Sequence, residues 1–154
     1  MKRLILVFAL SLGLGSAYAQ KIKEAEVPAA VKDGFKKQYP NAKVSEWEKE
    51  GANFEAEFKH NKVETSVVID ATGSILETEV EIAVKELPAA ATEYITKNYA
   101  GYKVEEAVKI TDSKGNISYE AEVEKGKEEF DLIFDSKGGF IKKDVEAGGE
   151  KDKD

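Results

Sequence analysis

The chain repeats itself. Val27-Pro28-Ala29-Ala30 returns as Leu87-Pro88-Ala89-Ala90, and at an offset of 60 residues 27–46 match residues 87–106 at 8 of 20 positions. Lys37/Lys97, Tyr39/Tyr99, Lys43/Lys103, Val44/Val104 and Glu46/Glu106 are among the identities. The offset then becomes 65. Phe54-Glu55-Ala56-Glu57-Phe58 answers Tyr119-Glu120-Ala121-Glu122-Val123, and Asp70 and Gly73 answer Asp135 and Gly138. Over residues 54–82 the identities are 9 of 29, and 8 of the 20 differences exchange one apolar residue for another. The five extra residues of the second copy fall in Asp112-Ser113-Lys114-Gly115-Asn116. Those residue types make turns, so the insertion lengthens a hairpin. Two copies are too few for a solenoid, which leaves one pseudo-symmetric domain made of repeats 27–82 and 87–146.

Each repeat opens with a predicted helix. Val27, Val31, Phe35 and Tyr39 are spaced by four, as are Leu87, Ala91, Ile95 and Tyr99, and such spacing lines one helical stripe. Pro28 and Pro88 stand in the first turn, where a missing N–H costs nothing, and Pro40 and Gly101 stop the helices. Four strands follow in each repeat. Phe54, Ala56 and Phe58 alternate with Glu55, Glu57 and Lys59, and Tyr119, Ala121 and Val123 with Glu120, Glu122 and Glu124. Period two with one charged face describes a half-exposed antiparallel strand. The turns are His60-Asn61, Gly126, Asp70–Gly73 and Asp135–Gly139. The fold class is therefore α+β, a tandem α-β-β-β-β unit, with an antiparallel sheet and helices packed on one face. Val67, Ile69, Phe130, Leu132 and Phe134 are the expected core of the third strands.

The start of the chain reads as an address. Met1-Lys2-Arg3 is positive, Leu4 to Gly15 is mostly apolar, and Ser16-Ala17-Tyr18-Ala19 offers small residues before a cut at Gln20. A membrane span needs about 20 apolar residues, and this run is shorter. The sequence thus predicts a signal peptide over residues 1–19 and a periplasmic or secreted product with no membrane span. No Cys follows the cut, so no lipid anchor is expected. Residues 147–154 have no apolar period and read as a disordered tail.

Composition narrows the chemistry. The chain has no Cys and one His, which excludes disulfides, thiolate metal sites, a cysteine nucleophile and any multi-histidine site. With 30 acidic against 23 basic residues, nucleic acid is not an expected partner. His60 sits in a turn, and its counterpart is Lys125. No catalytic motif built on Ser, Lys or His-Glu pairs occurs. Carboxylates are the only candidate acid–base groups. A hydrolase would have to use Glu55, Glu57, Glu120 or Glu122, with at least one held at a raised pKa. The simpler reading of these residues is a solvated sheet face, so no catalytic residue is assigned. Asp112–Asn116 resembles a calcium loop only in outline, because Lys114 lies inside it and no closing Glu follows. Neither a metal nor a cofactor is expected.

One apolar group remains. If Ala42 and Val44 face the core, Trp47 faces away, unless a bulge shifts the strand by one residue. Val68 and Ile133 interrupt the polar face of the third strands, and Ile75 and Phe140 are placed beside them. Trp47, Val68, Ile75, Ile133 and Phe140 are therefore the expected binding residues, a recognition patch on the open face.

The helix starts, Phe35-Lys36-Lys37-Gln38-Tyr39-Pro40, the paired Glu-Ala-Glu strands and the Asp-x-x-Gly turns at Asp70 and Asp135 together resemble the PepSY-like family of exported bacterial proteins. That family is also described as β-lactamase-inhibitor-like. The resemblance covers residues 24–146. It implies a tandem α+β fold whose two sheets form one curved surface, and binding or inhibition of an exported hydrolase. It carries over no site residue. The expected function is an exported, non-enzymatic binding module that contacts a protein partner through its open sheet face. Inhibition of an exported peptidase or β-lactamase, through a hairpin such as 112–116, is the alternative, and an envelope small-ligand carrier or sensor is another.

Overall fold

The computed structural model describes residues 20–144. The expected signal peptide, its cleavage site and the tail lie outside the described residues. Among the described residues no helix is long and apolar enough to cross a membrane. The strands, β1 (Gln20–Ile22), β2 (Val44–Glu50), β3 (Asn53–His60), β4 (Val63–Ile69), β5 (Ile75–Glu81), β6 (Lys103–Asp112), β7 (Ile117–Lys125), β8 (Glu128–Asp135) and β9 (Phe140–Asp144), are hydrogen-bonded in chain order. The helices are α1 (Ala29–Gln38) and α2 (Ala89–Asn98). The expected α-β-β-β-β order is thus present twice, with β1 as an added strand. A 3-10 turn precedes each helix, Glu24–Glu26 and Val84–Glu86. In each, a glutamate carboxylate accepts from the backbone N–H three residues earlier, Glu26 from Lys23 at 2.9 Å and Glu86 from Ala83 at 2.8 Å.

The chain packs as two compact units. One comprises described residues 20–81 and Lys109–Ile117, and the other Ile82–Val108 and the residues from Ser118 onward. In the first, Val31 and Phe35 of α1 meet Trp47, Phe54, Ala56, Phe58, Val67 and Ile69 of the sheet. Phe35 stands edge-on to Phe58 and to Trp47, with ring centroids 4.9 and 5.9 Å apart. In the second, Ala91 and Ile95 of α2 meet Ala107, Ala121, Val123, Phe130, Leu132 and Phe134. Every core position expected of the third strands lies in these two clusters. Each large side chain so buried contributes about 1.5–3 kcal/mol.

Extra residues occur in β2, β5 and β9. Val44 pairs with Phe58 but Glu46 with Glu57, so Ser45 is a bulge, and its hydroxyl donates to the Glu57 carbonyl at 2.9 Å. Val68 pairs with Glu77 but Ile69 with Ile75, leaving Leu76 extra. Ile133 pairs with Lys142 but Phe134 with Phe140, leaving Ile141 extra. A bulge of one residue reverses the side to which the rest of the strand points. The consequences fall on the expected binding residues.

The turns are closed by their own side chains. In three of them an aspartate Oδ1 accepts from the backbone N–H groups two and four residues on. Asp70 bonds Thr72 and Ser74, Asp112 bonds Lys114 and Asn116, and Asp135 bonds Lys137 and Gly139, all at 2.8–3.0 Å. The inserted loop of the second repeat is therefore one more copy of the same turn. Asp112 also takes the Asn116 amide at 2.7 Å, so its carboxylate is engaged within the loop. At the β4–β5 turn the backbone presses on α1. A Cβ on Gly34 would stand 2.1 Å from the Gly73 carbonyl oxygen, which explains glycine in mid-helix. The second repeat has Tyr94 there, stacked on Phe140 with centroids 4.5 Å apart.

A carboxylate-lined sheet face as candidate functional site

The apolar patch expected on the open face does not form. Trp47 is 5% exposed and lies in the helix-side core of its unit, because the Ser45 bulge brings it to the same side as Val44. Its indole N–H has no hydrogen-bond partner. Ile75 also packs against that core, turned there by the extra Leu76. Phe140 is exposed but stands beside Phe134 and Tyr94, on the helix side of the second unit. Val68 and Ile133 are on the opposite face as expected, yet both are buried. Across the strands Val68 faces Glu55 and Glu77, and Ile133 faces Glu120 and Lys142.

Carboxylates occupy the face instead. In the first unit, cross-strand pairs fix the layout without recourse to any turn. Lys21 pairs with Glu48, Glu48 with Glu55, Glu46 with Glu57, Glu57 with Ser66, Glu55 with Val68, Ser66 with Glu79 and Val68 with Glu77. Residues opposite one another share a side, so with Glu50, two residues beyond Glu48, seven glutamates point one way. Lys21, in an ion pair with Glu46, is the cation among them.

These groups are not a solvated surface, contrary to the expectation for Glu55 and Glu120. Glu55 is 2% exposed and Glu50 9%; Glu77 and Glu79 are buried as well. Oε1 of Glu55 and Oε2 of Glu50 are buried without a hydrogen-bond partner. The side toward β1 is wetter, and Glu46, Glu48 and Glu57 are half-buried there. Burial, and then the neighbouring carboxylates Glu48 and Glu77, raise the pKa of Glu50 to about 7. Burial followed by Glu46 and Glu48 raises Glu57 to about 7 as well, with Lys21 acting against that rise. Glu55 is pushed well above the ordinary carboxyl range, first by burial and next by Glu50. Water stabilises a carboxylate better than this face does, and repulsion between like charges adds to the deficit.

The second unit repeats the theme with differences. Glu120, the counterpart of Glu55, is raised well above the usual range by burial and then by Asp131, Glu106, Asp144 and Glu122. Lys142 supplies a cation on this face and pairs with Asp144 at 2.7 Å. In the repeat alignment Lys142 stands where the first repeat has Glu77, and Val108 and Ile110 stand where it has Glu48 and Glu50.

Two triads in the first unit bring carboxylate oxygens within 4.8 Å of one another: Glu46, Glu48 and Glu57, and Glu48, Glu50 and Glu55. Sequence reasoning named Glu55 and Glu57 and passed over Glu46, Glu48 and Glu50. Their signal was present, since Glu46-x-Glu48-x-Glu50 runs at period two beside Glu55-x-Glu57. A raised glutamate was the condition set for a carboxylate hydrolase, and Glu55, Glu57 and Glu120 meet it. Burial raises all three first, and the charged groups that add to the rise are other carboxylates. His60 contacts the Tyr39 and Phe58 rings at the helix side, at centroid distances of 5.5 and 6.4 Å.

Comparison with known proteins gives the chain relatives. The family model described as "Putative beta-lactamase-inhibitor-like, PepSY-like" matches residues 16–77 and again 70–142. No curated protein matches. The chain is similar to a solved structure described as a BLIP-like protein from Bacteroides fragilis, at 30% identity and a TM-score of 0.62, over 81% of this chain and 92% of that one. It is also similar in fold to a solved structure from Bacteroides eggerthii described as "putative periplasmic". That match has 20% identity and a TM-score of 0.68, and covers 76% of this chain and 87% of that one. Matched in both of its repeats across most of its length, the chain belongs to the PepSY-like family.

Proposed function

We propose that the chain is an exported, non-enzymatic binding module of the periplasm whose ligand is cationic and is held on the helix-free face of the first repeat. Export is supported by the basic, apolar and small-residue order of residues 1–19 and by the description of the Bacteroides eggerthii relative. The observation that carries the binding reading is the gathering of Glu46, Glu48, Glu50, Glu55, Glu57, Glu77 and Glu79 on one side, against Lys21. A fold selected for stability alone does not bury carboxylates beside carboxylates, because each costs desolvation and repulsion. A positively charged partner removes both costs at once. The expected protein partner is thus a lysine- or arginine-rich segment, and an apolar patch is not needed to hold it.

A labelled lysine-rich peptide, titrated against the purified protein and read by fluorescence anisotropy, tests this. Binding is expected at low ionic strength and should weaken at least about tenfold in 0.5 M salt. Glu46→Gln with Glu57→Gln should weaken it too, and exchanging Glu93 of α2 should not. Equal binding by all variants, or none at low salt, contradicts the reading. Inhibition of a β-lactamase by a protein that ignores the peptide would favour the inhibitor suggested by the family's description instead.

A further inference from the structure

We propose that Glu48, Glu50 and Glu55 form a binding site for a divalent cation of calcium's size, confined to the first repeat. The inference deepens the reading above by naming a ligand for the same face. Glu48 and Glu55 are directly paired across β2 and β3, and Glu50 lies two residues along on the same side. One carboxylate oxygen from each falls within 4.8 Å of the other two. Oxygen ligands stand about 2.3–2.6 Å from calcium, so oxygens on opposite sides of one ion are roughly 5 Å apart. The spacing of the triad suits one shared ion.

The second observation is independent of the clustering. Oε1 of Glu55, a residue 2% exposed, is buried with no hydrogen-bond partner, and Oε2 of Glu50, 9% exposed, is in the same condition. Buried polar atoms in native proteins are otherwise almost always paired. A cation ligates both. The site is open on one side, because Glu48 is half-buried and gives an approach from solvent. The donors are all hard carboxylate oxygens, which select calcium, magnesium or manganese over softer metals. Calcium suits them best, since it accepts irregular sets of 6–8 oxygens, whereas magnesium demands near-octahedral geometry and keeps its waters.

The repeat serves as an internal control. The second copy retains the buried acid as Glu120 but replaces Glu48 and Glu50 with Val108 and Ile110, and replaces Glu77 with Lys142. It lacks the triad, and its ammonium group, Lys142, stands opposite Ile133, whereas the ammonium on the first unit's face, Lys21, stands opposite Glu48.

Calcium chloride titrated into the purified protein, read by calorimetry and by thermal unfolding, tests the site. One ion per chain is expected, with half-saturation at about 0.1–1 mM, the range of extracellular calcium modules. About 10 mM calcium should raise the melting temperature by roughly 5 °C or more, and sodium chloride of equal ionic strength should not. Magnesium should act at least several-fold more weakly. Glu48→Gln, at the half-buried position, should fold and lose the response, whereas Glu120→Gln should keep it. Should Glu55→Gln fail to fold, Glu48→Gln decides. No calcium-specific shift, or equal loss in the Glu48 and Glu120 variants, overturns the site. Loss of calcium binding with the lysine-rich peptide still bound removes the metal site and leaves the cationic partner standing.

Discussion

Trp47→Ala should destabilise the protein by about 3–5 kcal/mol, as truncation of a large buried aromatic does. The indole is 5% exposed and lies in the core under α1. Its ring is edge-on to Phe35, with centroids 5.9 Å apart, and Ile22 and Ala56 are its neighbours across the adjacent strands. Removing it leaves a cavity that Ala56 and Ile22 cannot fill. Trp47→Phe should cost less than about 1.5 kcal/mol, because it keeps an aromatic ring and removes an indole N–H that has no partner. Urea unfolding of the two variants provides the measurement. An unchanged midpoint in Trp47→Ala, accompanied by lost ligand binding, would return Trp47 to a recognition surface.

Glu120→Gln should stabilise the protein, and by more as the pH rises. Burial, then Asp131, Glu106, Asp144 and Glu122, hold the folded-state pKa of Glu120 well above its ordinary value of 4.5. Lys142 on β9 is the cation on that face. Below about pH 4 the carboxyl is protonated in both states and costs nothing. As pH rises above the unfolded value, the unfolded chain gives up its proton first, and stability falls until the folded-state pKa is passed. Glutamine does not titrate. The wild type and variant should therefore melt together near pH 4 and separate by on the order of 5 °C at pH 8, the variant higher. The loop aspartates act in another window. Asp135 is held low first by the Gly139 N–H, Asp70 by the Thr72 hydroxyl and Asp112 by the Asn116 amide. Their contribution is present above their ordinary value of 3.8 and is lost only as pH falls below it. Melting curves that coincide at both pH values would show that Glu120 is solvated.

The repeat made the architecture legible. Helix stripes, hairpin turns and the alternating Glu-Ala-Glu strands each appear twice in the sequence, and each repeat confirms the other. Face assignment beyond a bulge was not legible. Nothing in Val44-Ser45-Glu46 announces that Ser45 will be extra, and one extra residue moves Trp47 from one side of the sheet to the other. Leu76 and Ile141 did the same to Ile75 and Phe140. Val68 and Ile133 were placed correctly because no bulge separates them from the core positions used to set the phase. The candidate site was half visible. Period two put Glu55 and Glu57 on the charged side, but a charged face reads by default as a wet one. Burial of Glu55, Glu77 and Glu79 depends on what surrounds the strands, which local pattern does not contain.

The most direct test of a cation-binding face on the first repeat is paramagnetic broadening of amide NMR signals by manganese, which takes the same oxygen ligands as calcium. At substoichiometric metal, the signals of residues 47–51 and 53–57 should disappear first, while those around Glu120 and Asp131 persist. Broadening spread evenly over both repeats, or centred on Glu120, would contradict a site built from Glu48, Glu50 and Glu55.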